Sequence, residues 1–256
     1  MHNIFNPSRF ASLFKKHTLE HFRKNVLSIL VLSAIMFSFF LFFVLVSRPA
    51  SNDWQHAFFV FFILLAISIY ACGIFSDLGD KRKAIATLTL PASHLEKFAV
   101  SWIYSFIIAP LIFVVVFYMA LFAAVNIAAG PKSITIINVF SLRFIWSDFL
   151  PIFILLHSFS LLGAIFFQKH HFIKTALAAF ISFVALIIVN KQLLKGLIGI
   201  DTMSVFPFLG VLFVENDRYY FLDFTANKSL FLYVAFSTVA ILLWVTAYFK
   251  LKEKQV

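Results

Sequence analysis

The stretch VLSILVLSAIMFSFFLFFVLV, residues 26–46, decides the fold class of this chain. It runs for 21 residues without a charged side chain, and a helix needs about 20 apolar residues to cross a hydrocarbon core about 30 Å thick. It is longer than the 7–15 apolar residues typical of a signal peptide, and about 25 mostly polar residues precede it. The stretch therefore predicts a first membrane-spanning helix that is not cleaved off.

Five further segments of the same character follow, which predicts six spans in all. In the fifth span the only charged side chain is that of Lys174, which is long enough to snorkel to the interface. The segments are apolar all round, whereas barrel strands alternate apolar and polar residues. We therefore predict an all-α polytopic membrane protein, with residues 1–256 forming one transmembrane domain. Its spans are 26–46, 57–75, 98–129, 149–167, 172–190 and 229–249.

Composition and charge support this class and orient the spans. Hydrophobic residues make up 62% of the chain and charged residues 12%, against roughly 25% charged in soluble domains. With six spans and a cytoplasmic N-terminus, 14 Lys and Arg residues lie inside and 7 outside, as the positive-inside rule requires. Both termini are thus predicted to be cytoplasmic. The net charge of +10 then indicates attraction to anionic lipid at the cytoplasmic face rather than nucleic-acid binding.

Residues 7–24 precede the first span and carry an amphipathic pattern. Asn6-Pro7-Ser8 is typical of a helix start, with Asn6 as the cap and Pro7 in the first helical position. Apolar and histidine side chains follow at spacings of three and four, among basic residues. We predict an interfacial helix on the cytoplasmic side; a soluble tail is the alternative.

The inner loop between spans two and three, residues 77–97, carries more recognisable sequence patterns than the other inner loops. A charged half precedes an apolar half, and Pro91 ends the short helix that the middle predicts. Ser93 to Glu96 then spells the S-x-x-E capping box in front of span three. We interpret Glu96 as a structural cap; the alternative is a catalytic acid.

Two regions are irregular. Span three has 32 residues, about 48 Å of helix, and Pro110 predicts a kink within it. Residues 191–228 include a further apolar run, 196–214, which holds Asp201 and four helix breakers. An Asp near a span centre costs about 2.5–3.5 kcal/mol on insertion scales. A seventh span would also place the C-terminal lysines outside. We therefore predict re-entrant or surface-lying short helices on the outer side, while the patch 134–140 remains unassigned.

The sequence lacks the residues that several classes of function require. No span interior carries Asp, Glu, Lys or Arg, so the ionisable relay of an ion-coupled transporter is missing. No G-x-x-x-x-G-K-[ST] loop is present for ATP, no G-x-S-x-G elbow for a nucleophile, and the one cysteine, Cys72, can form no intramolecular disulfide. His157 is at membrane depth, where a hydrogen bond to a neighbouring helix is favoured over ligation of haem. We expect no metal or cofactor in this chain.

The stretch Asp80–Lys97 resembles the permeases of type-2 ABC exporters. The shared pattern is a charged start, paired leucines, then Pro, a small residue, Ser, an acid and Lys, and Leu90-Pro91-Ala92-Ser93 with Glu96-Lys97 is most similar to members from the Bacteroidetes. The resemblance implies a cytoplasmic coupling helix that contacts separately encoded ATPase subunits, which hold ATP and Mg²⁺. It also implies a second copy or a related permease, in the bacterial cytoplasmic membrane. The implied contact residues are Asp80, Lys81, Arg82, Lys83, Ile85, Leu88, Leu90, Pro91, Glu96 and Lys97.

The resulting functional expectation is an exporter permease that moves an amphipathic or lipid-like substrate. We expect a path between subunits, along spans one, two and five, with Ser68, Tyr70, Ser182 and Asn190 as lining residues. One alternative is a membrane interaction or immunity protein that does not transport. A second is an integral membrane enzyme acting on lipid headgroups, for which the outer polar residues are the only candidates: Asp201, Glu215, Asp217, Arg218 and Asp223.

Overall fold

The structure is a computed structural model. The part of the chain that it describes contains seven α-helices and one small β-hairpin. It describes residues 5–47, 53–79, 83–85, 89–128, 136–141, 149–198, 211–215, 218–222 and 228–254. The helices are α1 (Pro7–Ser47), α2 (Asp53–Gly73), α3 (His94–Ile103), α4 (Ala109–Ala128), α5 (Leu150–Phe166), α6 (His171–Ile198) and α7 (Lys228–Glu253). A 3₁₀ turn, Ser76–Gly79, follows α2, a π-turn, Tyr104–Ile108, joins α3 to α4, and the strands are β1 (Val211–Glu215) and β2 (Arg218–Leu222).

Every predicted span coincides with a helix. Five helical segments in the described residues are long and apolar enough to cross a membrane: Pro7–Val46, Asp53–Gly73, His94–Ile127, His171–Gly196 and Leu230–Glu253. The predicted class, a helical membrane protein, is confirmed. The remaining helix, α5, has 17 residues, about 26 Å, which is the lower limit for a span. The count of six spans and the cytoplasmic termini stay predictions.

Helix α1 is longer than the sequence pattern indicated. We predicted an interfacial helix over 7–24 and a separate span over 26–46, but the structure has one continuous helix of 41 residues. The junction, Arg23-Lys24-Asn25-Val26, contains neither Pro nor Gly. Because nothing there removes a backbone donor or clashes with the preceding turn, the helical hydrogen bonds continue through it.

The regular α-helix of the third predicted span is interrupted close to Pro110. A π-turn, Tyr104–Ile108, lies directly before Pro110, and the Ala109 N–H donates to the Tyr104 carbonyl five residues earlier. Pro110 itself has no N–H to donate. A π-turn is a recognised source of a kink, and the kink predicted at Pro110 stays a prediction.

Aromatic side chains fill the core between α1, α2 and α4. Phe40 and Phe117 are fully buried and meet edge to face, with ring centroids 5.3 Å apart. Phe40 also contacts Trp54 and Phe62. Edge-to-face pairs contribute about 0.5–1.5 kcal/mol beyond their buried area. The chain has 37 phenylalanines, and those on α1, α2 and α4 hold these helices together.

The unassigned outer patch 134–140 has a packing role where it is described. Ile137 and Val139 are buried among the residues of α2 and α4. The buried Gln55 side chain accepts a hydrogen bond from the Ile137 N–H at 3.1 Å. The Tyr118 hydroxyl donates to the Ile137 carbonyl and accepts from the Val139 N–H. This segment therefore closes one end of the helix core. Side chains of α2 and α4 make the hydrogen bonds that the backbone of Ile137 and Val139 needs.

The region 191–228 differs from the prediction of short helices. Helix α6 continues to Ile198, and residues 211–222 include a two-stranded antiparallel hairpin that pairs Val211 with Leu222 and Glu215 with Arg218. Both strands are rich in Val, Phe and Tyr, which favour extended backbone, and Phe213 stacks on Tyr220 across the pair at 5.4 Å. The prediction of short helices over 196–214 is wrong for β1. Residues 199–210, with Asp201, lie outside the described residues.

Candidate functional site

The loop after α2 begins with a tightly packed turn. Leu78 in the 3₁₀ turn is buried, and Gly79 approaches the turn between α5 and α6 so closely that a Cβ would lie 2.1 Å from the Gln168 carbonyl oxygen. A residue with a side chain does not fit there without moving backbone. The start of the loop is thus fixed against α5 and α6.

Asp77 lies beside a lysine and a histidine at the start of the loop. Its Oδ1 lies 3.5 Å from Lys83 Nζ, and its Oδ2 lies 3.9 Å from His21 Nε2 on α1. Ion pairs with this much exposure contribute about 0–1 kcal/mol. These contacts orient the Lys83 side chain. They also hold the start of the loop beside His21, in the part of α1 that the charge pattern predicts to be cytoplasmic.

Four of the predicted ATPase-contact residues lie on the surface of the loop or at its edge. Lys83, Ile85 and Pro91 are exposed and Leu90 is half-buried. Ile85 leaves 48% of its surface exposed, although isoleucine is a residue that proteins bury most often. The described loop therefore presents a cation beside an uncovered apolar side chain. Asp80, Lys81, Arg82 and Leu88 lie outside the described residues.

The capping box predicted at Ser93–Glu96 is confirmed in both directions. The Ser93 hydroxyl accepts from the Glu96 N–H at 3.1 Å, and Glu96 Oε2 accepts from the Ser93 N–H at 2.8 Å. Each bond satisfies a backbone donor that the first turn of a helix leaves free. The capped turn gives a short, rigid connection from the loop to α3.

Glu96 also binds the beginning of α1, which the sequence did not indicate. Its Oε1 accepts from the Asn6 N–H at 2.7 Å and from Arg9 Nη2 at 3.0 Å, and the side chain is fully buried. Three donors around a buried carboxylate favour its ionised form. Because Glu96 and its neighbour Lys97 are both buried, these two members of the predicted contact set lie behind the loop surface.

More contacts join α1 to the end of α3. The Phe14 and Tyr104 rings lie 4.7 Å apart, the His17 and Tyr104 rings 4.5 Å apart, and the Thr18 and Tyr104 hydroxyls are hydrogen-bonded. The N-terminal part of α1 therefore packs along α3 from Glu96 to Tyr104. We call this contact the α1–α3 clamp.

A second buried polar cluster joins three helices at the π-turn. Trp244 Nε1 of α7 donates to His157 Nδ1 at 3.3 Å, which leaves the proton of the neutral ring on Nε2. His157 Nε2, 2.9 Å from Ser105 Oγ, then donates to it, and Ser105 donates to the Ser101 carbonyl. The prediction that His157 is hydrogen-bonded to a neighbouring helix is confirmed.

The four residues predicted to line a path do not come together within one chain. Ser68 is buried on the side of α2 that faces α5 and α6. Tyr70, two positions further along α2, is hydrogen-bonded to Asn25 of α1. Ser182 is exposed and Asn190 half-buried on α6. A path between two subunits remains a prediction.

The outer polar residues named for a lipid-modifying enzyme are only partly described. Glu215 and Arg218 are backbone partners at the turn end of the hairpin, while Asp201, Asp217 and Asp223 lie outside the described residues. In the described part of the chain, no group of three His, Cys, Asp or Glu side chains could hold a metal ion. The two described residues of this set, Glu215 and Arg218, therefore lie at the turn end of the hairpin.

Comparisons with known proteins give this chain no relative. No family model, no curated protein and no solved structure matches it. The helices define its class: the chain is a multi-pass helical membrane protein.

Proposed function

We propose that this chain is the permease subunit of an ATP-driven exporter of the type-2 ABC class. It has six spans with both termini in the cytoplasm of a bacterium. It pairs with a second copy or a related permease, and ATP and Mg²⁺ bind to separate ATPase subunits. The resemblance of residues 80–97 to the coupling helix of such permeases is the starting point for this proposal.

The observation that carries the proposal is the mechanical position of the loop after α2. Its exposed residues Lys83 and Ile85 come shortly before the capped turn that opens α3 in the chain. The Glu96 carboxylate in this turn is bonded to Asn6 and Arg9 of α1. A displacement applied to the loop by a partner therefore moves α1 and α3 together, which is the kind of rigid coupling that a separate motor requires.

The apolar faces of α1 and α6 support the expected path and substrate. Phe39 and Phe42 of α1 and Phe180 and Phe183 of α6 are all exposed by 41% or more. These faces border either lipid or a second subunit. A path between such faces suits a substrate that is itself amphipathic or lipid-like, and no naked ion would be stabilised along it.

Copurification with candidate ATPases tests the proposal. We expect tagged wild-type protein to retain an ATPase and to stimulate its ATP hydrolysis. Ile85→Asp places a charge in the apolar part of the contact, and loss of such an anchor costs about 1.4 kcal/mol or more, a tenfold loss of affinity.

Phe221→Asp in the hairpin is the matched control, because Phe221 is 62% exposed but lies on the side predicted to be outside. It should bind the ATPase as wild type does. Equal retention of ATPase by Ile85→Asp and Phe221→Asp would contradict the coupling role. No retained ATPase with any variant would favour a non-transporting interaction protein.

A further inference from the structure

A lateral groove lies between α2, α5 and α6, and Ser68 is the one residue of the predicted transport path among its lining residues. Its volume is about 360 Å³, within the range of about 300–1,000 Å³ of small-molecule sites. From Phe61 to Cys72 on α2 it follows roughly 16 Å of helix. The side chains at its opening leave much of their surface exposed: Phe61 59%, Leu65 41% and Phe172 37%. The groove therefore opens sideways, in the direction where a bilayer surrounds a membrane protein.

The walls of the groove favour an apolar occupant. Most lining residues are Phe, Leu or Ala. Two of the hydroxyls, on Ser68 and Thr175, donate to carbonyls of their own helices, at 2.6 Å to Leu64 and 2.6 Å to His171. Hydroxyls bound in this way offer no free donor to a polar ligand. A hydrocarbon chain fits these walls without leaving a polar group unsatisfied.

The end of the groove near Phe172 is basic. The turn before α6 carries Lys169 and His170, and Lys174 follows one helical turn later; all three are exposed. The Lys174 ammonium lies 6.0 Å from the centre of the Phe167 ring, so its stem lies along the end of α5. No Asp or Glu occurs between Phe149 and Ile200 in the sequence. These cations have no acidic neighbour on α5 or α6.

We propose that this groove is a specific site for an anionic phospholipid. One acyl chain lies between α2, α5 and α6, and the phosphate faces Lys169 and Lys174. Charge complementarity selects the occupant, because an apolar slot that ends at Phe172, between the exposed Lys169 and Lys174 in the chain, matches an acyl chain joined to an anionic headgroup. The inference does not rest on the proposed transport function and holds with or without an ATPase.

Native mass spectrometry of the full-length protein tests this site. The protein is mixed with phosphatidylglycerol and phosphatidylcholine of identical acyl chains, and the two retained lipids are compared. We expect wild type to prefer phosphatidylglycerol. Because a lysine near an anionic surface contributes about 1 kcal/mol, each of Lys169→Ala and Lys174→Ala should lower the preference about fivefold. Ala176→Phe, which fills the groove, should lower retention of both lipids.

The matched control is Lys191→Ala, which removes the same single charge from the far end of α6. An equal loss of preference in this control, or no preference in wild type, would overturn the proposal. So would retention of phosphatidylglycerol by Ala176→Phe at the wild-type level. If Ala176→Phe does not fold, Ala179→Leu in the same groove replaces it, and the lysine variants still decide between specific and general attraction.

Discussion

The carboxylate of Glu96 joins two segments of the chain, the start of α3 and the start of α1. One oxygen caps α3 through the Ser93 N–H, and the other binds the Asn6 N–H and the Arg9 guanidinium. Breaking a buried charge pair by removing one partner is costly, because the remaining group loses its counter-charge. Arg9 is 40% exposed, so water offsets part of that cost here.

Glu96→Gln should lower the free energy of unfolding by about 1.5–3 kcal/mol, the usual value for hydrogen bonds to a charged group. The amide keeps the shape of the side chain but loses the charge that Arg9 faces. Thermal unfolding of the solubilised protein measures the loss, at roughly 2–4 °C per kcal/mol.

Glu253→Gln is the matched control for Glu96→Gln. Its carboxylate pairs with Lys250 at 2.9 Å, but both side chains are exposed, and such pairs contribute about 0.2–1 kcal/mol. Equal shifts in melting temperature for the two variants would show that the α1–α3 clamp does not stabilise the protein.

At this scale the sequence predicted what is local. The capping box could be found because Ser93 and Glu96 are three residues apart and the motif has a known geometry. The Arg9–Glu96 pair joins residues that are 87 positions apart, and no pattern in a single sequence reports such a contact. For His157 the type of interaction could be predicted from its depth in a span, while its partners, Ser105 and Trp244, depend on tertiary packing.

The elements α5 and α6 form a close helical hairpin. A Cβ on Gly163 would lie 2.0 Å from Thr175 Oγ1 and 2.7 Å from Thr175 Cβ. The turn that joins the helices is short, and His170 in it has a left-handed backbone with φ of 54°. The two helices therefore have little freedom to move apart, and small residues at such contacts let membrane helices approach closely.

Gly163→Ala should destabilise the protein by about 1–3 kcal/mol, the usual cost of overpacking. Gly196→Ala in α6 is the control, since an added Cβ there meets nothing within 4 Å, and Ala is favoured over Gly in a helix by about 0.5–1 kcal/mol. The melting temperature should thus fall for the first variant and stay level or rise for the second. A fall of equal size in both would contradict the close packing of α5 on α6.

Sequence reasoning predicted these helices better than the segments between them. All six apolar stretches are helical, the third as α3 and α4 joined by the π-turn, because an all-round apolar pattern of that length has few other solutions. The apolar run 196–214 predicts short helices although its last residues form β1, because hydrophobicity alone does not separate a short strand from a helix. The patch that includes Ile137 and Val139 is short and nonperiodic, so its place in the core depended on Gln55 and Tyr118.

The whole molecule carries two surfaces for which we propose different partners. Asp77 pairs with Lys83 at the start of the loop after α2, Glu96 at its end joins α3 to α1, and we propose that the exposed side chains of this loop bind a protein. We propose that the groove between α2, α5 and α6, which ends at Phe172 near Lys169 and Lys174 in the chain, binds a lipid. Gly79 and Gln168 bring the start of the loop against the turn at the basic end of the groove, so the two surfaces adjoin.

Photo-crosslinking in living cells tests whether the loop after α2 contacts an ATPase subunit. A benzoylphenylalanine residue at Ile85 of the full-length protein reports what the loop touches, and the same residue at Phe221 serves as the control. The account predicts that position 85, and not 221, crosslinks to a protein with a G-x-x-x-x-G-K-[ST] nucleotide loop. Crosslinks from position 85 only to lipid, or to a protein without that loop, would contradict it.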